Sequence, residues 1–315
     1  MAERTILLVT VFYAVTLFEL YRHADNVYTW TGSFADRILL WPLWWTVHVP
    51  QETAETVLAS LYLSAGILGV FLWRFRVVRV LVSIALLQNL AFENMSGSIS
   101  HSGHEWFWIS CVFWLLPSGN HSNGLRDRLW RTQMIIGYAA AGALILLFYS
   151  LSGWWKVGDA IRQAVFGQFG GFNLDAMAVV LAQRSLDTNT EPLLAWAIID
   201  APLIGWPLFL GLYFVELVAV IVLFRPELVR LWGAILVFFH IGTLVFMQII
   251  FPDHVLINIL LFWLAPWAIA QPGWREMLRA LPFFGFLLRR LVSSPSYPVQ
   301  GDAAQGLARS SGPGS

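Results

Sequence analysis

Eight apolar segments, each at or near the ~20 residues that a helix needs to cross a hydrocarbon core, restrict the folds open to this chain. Their approximate limits are 4–22, 54–73, 77–94, 102–117, 133–152, 203–224, 229–250 and 254–270. Backbone polar groups in hydrocarbon must be satisfied within the chain, and long unbroken apolar runs do this as helices. The expected fold class is therefore an all-α integral membrane protein with about eight transmembrane helices, and its first partner is the lipid bilayer. Composition agrees: 58% of residues are hydrophobic, 12% are charged, and the mean hydropathy is +0.66, outside the range of soluble domains.

The loops carry an orientation. Arg4, the Arg74/Arg76/Arg79 group, the Arg126/Arg128/Arg131 group, Arg225 with Arg230, and the arginines from Arg275 to Arg290 all fall on one side of an eight-span arrangement. By the positive-inside rule both termini are cytoplasmic. The first run ends in Glu19-Leu20-Tyr21-Arg22-His23 without a small-residue cleavage site, so it reads as a span rather than a signal peptide. Between spans five and six, the stretches 174–186 and 191–204 have helical apolar spacing and are expected to lie in the interface. The aromatic loop 30–50 is expected to do the same. A basic amphipathic stretch, 274–292, follows the last span, and 293–315 is rich in Ser, Gly, Pro and Gln. The chain thus divides into one polytopic domain, 1–292, and a disordered tail, 293–315. The formal net charge of zero argues against a nucleic-acid partner, and the single cysteine, Cys111, excludes an intramolecular disulfide.

An ionisable residue at a span centre costs ~2.5–3.5 kcal/mol or more, so each one needs a partner or a task. Glu216 lies in span six. His240 lies in span seven, with Thr243 and Gln248 near its face, and the two spans are candidates to pair through Glu216 and His240. The opening of span four, Ser100-His101-Ser102-Gly103-His104-Glu105, is the richest titratable cluster, preceded by Glu93 and Asn94. His101 and His104 with Glu105 suit iron or zinc by ligand type, but a catalytic metal takes three or more protein ligands, and a further one beyond the histidine pair would have to come from His254, His240 or Glu93. No metal is expected, and hydrogen bonding to a ligand is the favoured role.

Lys156 is the only lysine, against 18 arginines, and stands just past span five beside Trp154 and Trp155. An amine can give up its proton at moderate cost whereas a guanidinium cannot. Burial among aromatic rings favours the neutral amine, which is the form a general base needs. The competing reading is an interfacial lysine that extends to the headgroups.

The segment Ser152-Gly153-Trp154-Trp155-Lys156, the later Phe238-Phe239-His240, the helix opened by His101 and His104, and Asn120-His121 together resemble motifs of the horizontally transferred transmembrane family. That family includes the membrane core of vitamin K-dependent gamma-carboxylase. The resemblance covers roughly residues 1–270. It implies Lys156 as the catalytic base, with His101 or His104 orienting or polarising a quinone oxygen and His240 as a further catalytic residue, in an outer-leaflet cavity. It implies a pocket involving Trp154, Trp155, Glu105, Glu216, Asn94 and His121, and a reduced vitamin K or menaquinol-like quinol as cofactor. The expected function is a membrane enzyme acting on that quinol, coupled to carboxylation or oxidation of a small peptide or other substrate, in a bacterial cytoplasmic membrane. The chain lacks the paired cysteines and the large soluble region of the animal carboxylase. The alternatives are a maturation factor for a secreted peptide, a transport or binding module with a Glu216–His240 relay, and a metal-dependent membrane oxidase.

Overall fold

A computed structural model of the chain describes residues 1–95, 101–119, 125–190, 194–268 and 272–281, except for the side chains of His101, Ser102 and Trp274. All of the regular structure among them is helical. In order, the helices are α1 (Ala2–Thr29), α2 (Gln51–Leu72), α3 (Arg76–Asn94), α4 (His101–Val112), α5 (Leu125–Val165), α6 (Ala176–Thr188), α7 (Ala195–Ile199), α8 (Pro202–Leu217), α9 (Val229–Met247), α10 (Pro252–Asn258) and α11 (Trp274–Ala280). Short 3₁₀ helices cover Phe34–Asp36, Trp41–His48, Phe113–Leu115 and Ala219–Phe224, and α10 continues into a π-helical turn, Ile259–Trp263. The described residues up to Pro272 form one unit, and those from Gly273 on belong to a second. In the second unit Glu276 reaches back to the Gly273 N–H at 2.9 Å and caps α11. Residues 282–315 lie outside the described part.

Five helices, α1, α2, α3, α5 and α9, are long and apolar enough to cross a membrane. The other three apolar segments form compound elements. Segment 102–117 is α4 plus a 3₁₀ turn, segment 203–224 is α8 plus a 3₁₀ helix, and segment 254–270 begins as α10 and the π turn. Each break meets a polar partner. The Val220 N–H at the end of α8 donates to Ser150 Oγ of α5 at 2.8 Å, and Tyr138 of α5 donates its hydroxyl to Leu260 O in the π turn at 2.7 Å. Hydrogen bonds from a neighbouring helix let irregular backbone persist where water is excluded.

Arg79, counted by sequence among the loop cations, is fully buried in α3. Its guanidinium donates to Trp73 O at 3.0 Å, Leu116 O at 2.6 Å and Ser118 Oγ at 3.2 Å. It thereby joins the C-terminal end of α2 to the turn after α4, where helix-end carbonyls have no partner of their own. Ser83 of α3 and Ser110 of α4 share a 2.8 Å hydrogen bond, and Trp114 Nε1 donates to Ser83 at 2.9 Å. These contacts fix α4 against α3.

Two boundaries differ from expectation. The fifth segment does not end at 152, because α5 runs to Val165 over 41 residues, about 62 Å at 1.5 Å per residue. Its last turns are held by Arg162–Asp159 at 2.7 Å and Gln163–Asp159 at 2.8 Å, a spacing that places partners on one face. Lys156 is therefore a helical residue and not part of a loop. The seventh segment stops at Met247, since Gln248 takes a left-handed conformation (φ 52°) and its N–H bonds to Leu244 O, a common way to end a helix. Gln248 thus lies beyond α9.

The long α5 can lie against α8 because residue 153 has no side chain. A Cβ there would stand 2.7 Å from Leu217 Cα and 2.8 Å from the Glu216 carbonyl carbon. Gly153→Leu is expected to destabilise the protein by at least ~2 kcal/mol through forced separation of the helices. Gly158→Ala, on the same helix with open space around it, is expected to raise stability by up to ~1 kcal/mol. Thermal unfolding in detergent or nanodiscs reads both.

Candidate active site in the Lys156 cavity

Tyr149, Ser152 and Lys156 recur at helical spacing along α5, and all three line a cavity of about 560 Å³. The opposite walls are His104, Glu105 and Trp108 of α4, Glu216 of α8, Phe239 and His240 of α9, and Phe251 with His254 around the start of α10. Trp108, Phe148, Phe239 and Phe251 give the cavity an aromatic wall, and the polar groups fall into three sets.

In the first set Lys156 Nζ lies 2.6 Å from both carboxylate oxygens of Glu216, and Ser152 Oγ donates to Glu216 Oε2 at 3.4 Å. The Glu216 side chain is 5% exposed and that of Lys156 is 41%. The carboxylate is thus the buried member, and the amine extends from it toward the cavity mouth. A buried carboxylate without a cation carries a large desolvation penalty, so the helix contact at Gly153 and the ion pair support one another.

The second set is Tyr149, His240 and Asn258, all buried. Asn258 Nδ2 donates to the Tyr149 hydroxyl at 2.9 Å, and that hydroxyl lies 2.6 Å from His240 Nε2. With the hydroxyl donating to Nε2, the imidazole proton sits on Nδ1. That atom is buried and has no hydrogen-bond partner among the described residues, so in this tautomer its N–H is an unused donor. The third set is Glu105 with His254, whose Nε2 lies 3.5 Å from Glu105 Oε1; Glu105 Oε2 is buried and unpartnered among the described residues. The His240 and His254 rings are 4.9 Å apart, which makes the second and third sets one continuous polar surface.

Five of the residues singled out by sequence, Lys156, Glu216, His240, His104 and Glu105, share this cavity. Glu216 pairs with Lys156 and not with His240, because α5 supplies a partner to each, Lys156 to one and Tyr149 to the other. Trp154 and Trp155 are 63% and 80% exposed; positions one and two residues before Lys156 point off other faces of a helix. Asn94 ends α3 and does not line the cavity. The His101 side chain and all of His121 lie outside the described residues. Among the described residues no group of three or more His, Cys, Asp and Glu is placed to hold a metal ion. Asn258 and Phe251 were not singled out. Asn258 had a readable signal, a single amide between Ile257 and Ile259 in an apolar run. No family model, curated protein or solved structure matches this chain.

Removing one partner of the ion pair strands the other. Lys156→Met is expected to cost ~2 kcal/mol, less than a fully buried pair because Lys156 is half-exposed. The double variant Lys156→Met/Glu216→Leu is expected to recover at least ~1 kcal/mol of that, and a double-mutant cycle in chemical denaturation measures the coupling. Tyr149→Phe leaves His240 Nε2 and Asn258 Nδ2 without their shared partner and is expected to cost ~1–3 kcal/mol in the same assay.

Proposed function

We propose that this chain is an integral membrane enzyme, with eight membrane crossings in which α4, α8 and α10 each extend through their irregular continuations, that removes a proton from a quinol in the Lys156 cavity. Lys156 acts as base with Glu216 as its proton partner, and the protein is akin to the gamma-carboxylase-like members of the horizontally transferred transmembrane family. The observation that carries the reading is the position of the only lysine, 2.6 Å from a buried carboxylate and facing an aromatic-walled cavity beside the His240–Tyr149 pair.

An ammonium–carboxylate pair and an amine–carboxylic acid pair differ by one proton shift along a short hydrogen bond. Low dielectric narrows the energy gap between them, because the charged form loses hydration. Lys156 can therefore pass its proton to Glu216 and take another from a phenolic hydroxyl, whose ordinary pKa lies close to that of an amine, at ~10 for both. His240 orients the acceptor oxygen through Nδ1–H, and Tyr149 with Asn258 holds that imidazole in position. Aromatic side chains exclude water from the reacting atoms and offer stacking surfaces to a flat ring. The donor set fits the group, since it pairs one base with one neutral donor and supplies apolar walls. A reduced naphthoquinone, when bound, supplies the ionisable hydroxyl and the reducing electrons.

The test uses the protein in nanodiscs with reduced menadione as probe, following oxygen-dependent quinol consumption. Lys156→Ala is expected to lower the rate by at least ~100-fold and to regain part of it with added methylamine. Full activity in Lys156→Arg would remove the base role, since a guanidinium does not deprotonate.

A further inference from the structure

A second polar chamber lies behind the Lys156 cavity, on the opposite side of α4 and α10. Its walls include Glu19 and His23 of α1, Asn89 and Glu93 of α3, Trp106 of α4 and Asp253 of α10. The groups are already partly paired. His23 Nε2 lies 3.0 Å from Glu93 Oε1 and 3.8 Å from Glu19 Oε2, and Arg22 holds Glu19 at 2.7 Å. Two others are orphaned. Asn89 Oδ1 and Trp106 Nε1 have no hydrogen-bond partner among the described residues, although Asn89 is 5% exposed and Trp106 3%. One is an acceptor and the other a donor, and each costs ~1–3 kcal/mol if it stays unsatisfied. Both residues border a space of about 40 Å³. A water molecule occupies roughly 10–15 Å³ on this measure and donates as well as accepts, so about three waters match the room and the chemistry.

The chamber continues in two directions. His23 and Glu93 also line a larger pocket of about 410 Å³ whose rim carries the exposed polar residues Asn26 and Arg37. In the other direction, α4 and α10 separate the chamber from the Lys156 cavity. On α4, Gly103 and Trp106 face the chamber whereas His104 and Glu105 face the cavity. On α10, Asp253 faces the chamber, and His254, 3.5 Å from Glu105, faces the cavity.

We propose that this chamber is hydrated and forms a proton-exchange path between the pocket at Asn26 and Arg37 and the Lys156 cavity. His23 and Glu93 stand at its outer end, Asp253 at its inner end, and His254 with Glu105 forms the crossing. The proton moves as such between carboxylate, imidazole and water, with no change of oxidation state. The use of the path to reset Lys156 rests on the base reading above; hydration and exchange in the chamber do not.

Hydrogen–deuterium exchange at the indole N–H of Trp106 in the full-length protein, assigned by Trp106→Phe, tests hydration directly. Trp232 is the internal reference, being 1% exposed with an unpartnered Nε1 and lying outside the chamber. Trp106 is expected to exchange at least about tenfold faster than Trp232, and Glu93→Gln is expected to slow Trp106 by about tenfold through loss of a proton acceptor while Trp232 is unchanged. Equal rates for the two indoles would overturn the proposal. In the reduced-menadione assay Asp253→Asn is expected to lower kcat at least about fivefold with KM unaltered, and an unaltered kcat would overturn the path. If Lys156→Ala keeps full activity while Trp106 exchanges rapidly, the base reading falls and the hydrated chamber stands.

Discussion

The contact between α5 and the end of α8 is the constraint on which the cavity depends. Gly153 lets α5 lie against the backbone of Glu216 and Leu217, and that approach brings Lys156 within 2.6 Å of a carboxylate that has almost no solvent. Neither half is stable alone in a water-poor setting. Without the close approach the carboxylate would be a buried charge without a cation, and without the ion pair the end of α8 would keep only neutral hydrogen bonds to α5. Ser150 and Ser152 complete the junction from the same helix, one accepting the Val220 N–H and the other donating to Glu216. Five residues of α5, Tyr149, Ser150, Ser152, Gly153 and Lys156, thus determine where α8 breaks, where α9 places its histidine, and which way the cavity opens.

The fold was legible in outline because apolar length is a strong signal. The five longest helices coincide with segments chosen by hydropathy, and α6 was visible from its apolar spacing. The misplaced features have specific causes. Hydropathy alone put the end of the fifth span at 152, where tryptophans, a lysine and an aspartate begin, but polar side chains at i, i+3 and i+4 extend a helix as readily as they end a span. Gln248 was assigned to a helix face because its spacing from His240 fits, whereas the left-handed turn that excludes it depends on Leu244 and Thr243 carbonyls that composition does not reveal. Arg79 was counted as a surface cation although it is buried, since loop arithmetic does not distinguish an arginine facing water from one facing carbonyls.

The candidate site was legible as a set of residue types and not as a set of pairs. A lone lysine, a glutamate and a histidine within apolar runs were visible, and their convergence follows from the cost of leaving any of them in hydrocarbon unpartnered. The pairing was not visible because it depends on which face of a third helix each group meets. Side chains of α5 take both groups, Lys156 pairing with Glu216 and Tyr149 with His240, so the two groups expected to meet are instead held by two side chains of one helix, two turns apart. The tryptophans beside Lys156 were misleading because adjacency in a helix places residues on different faces, whereas Ser152 and Tyr149, more distant in sequence, share the face that matters.

The shortness of α4 and α10 also has a physical reason. A membrane-length apolar helix at either place would bury only hydrocarbon, yet these two elements separate two polar spaces and must present a polar side chain to each. Alternation of direction within one turn does this: Trp106 looks one way and His104 and Glu105 the other, and Asp253 and His254 do the same on α10. A helix polar on both sides cannot be stabilised by lipid and depends on its neighbours, which is why Ser83, Ser110 and Trp114 bind α4 to α3 through side-chain hydrogen bonds. Carboxylates and imidazoles on both sides of so thin a wall carry a desolvation cost that packing alone would avoid with leucines. Their retention is accounted for if protons have to cross it.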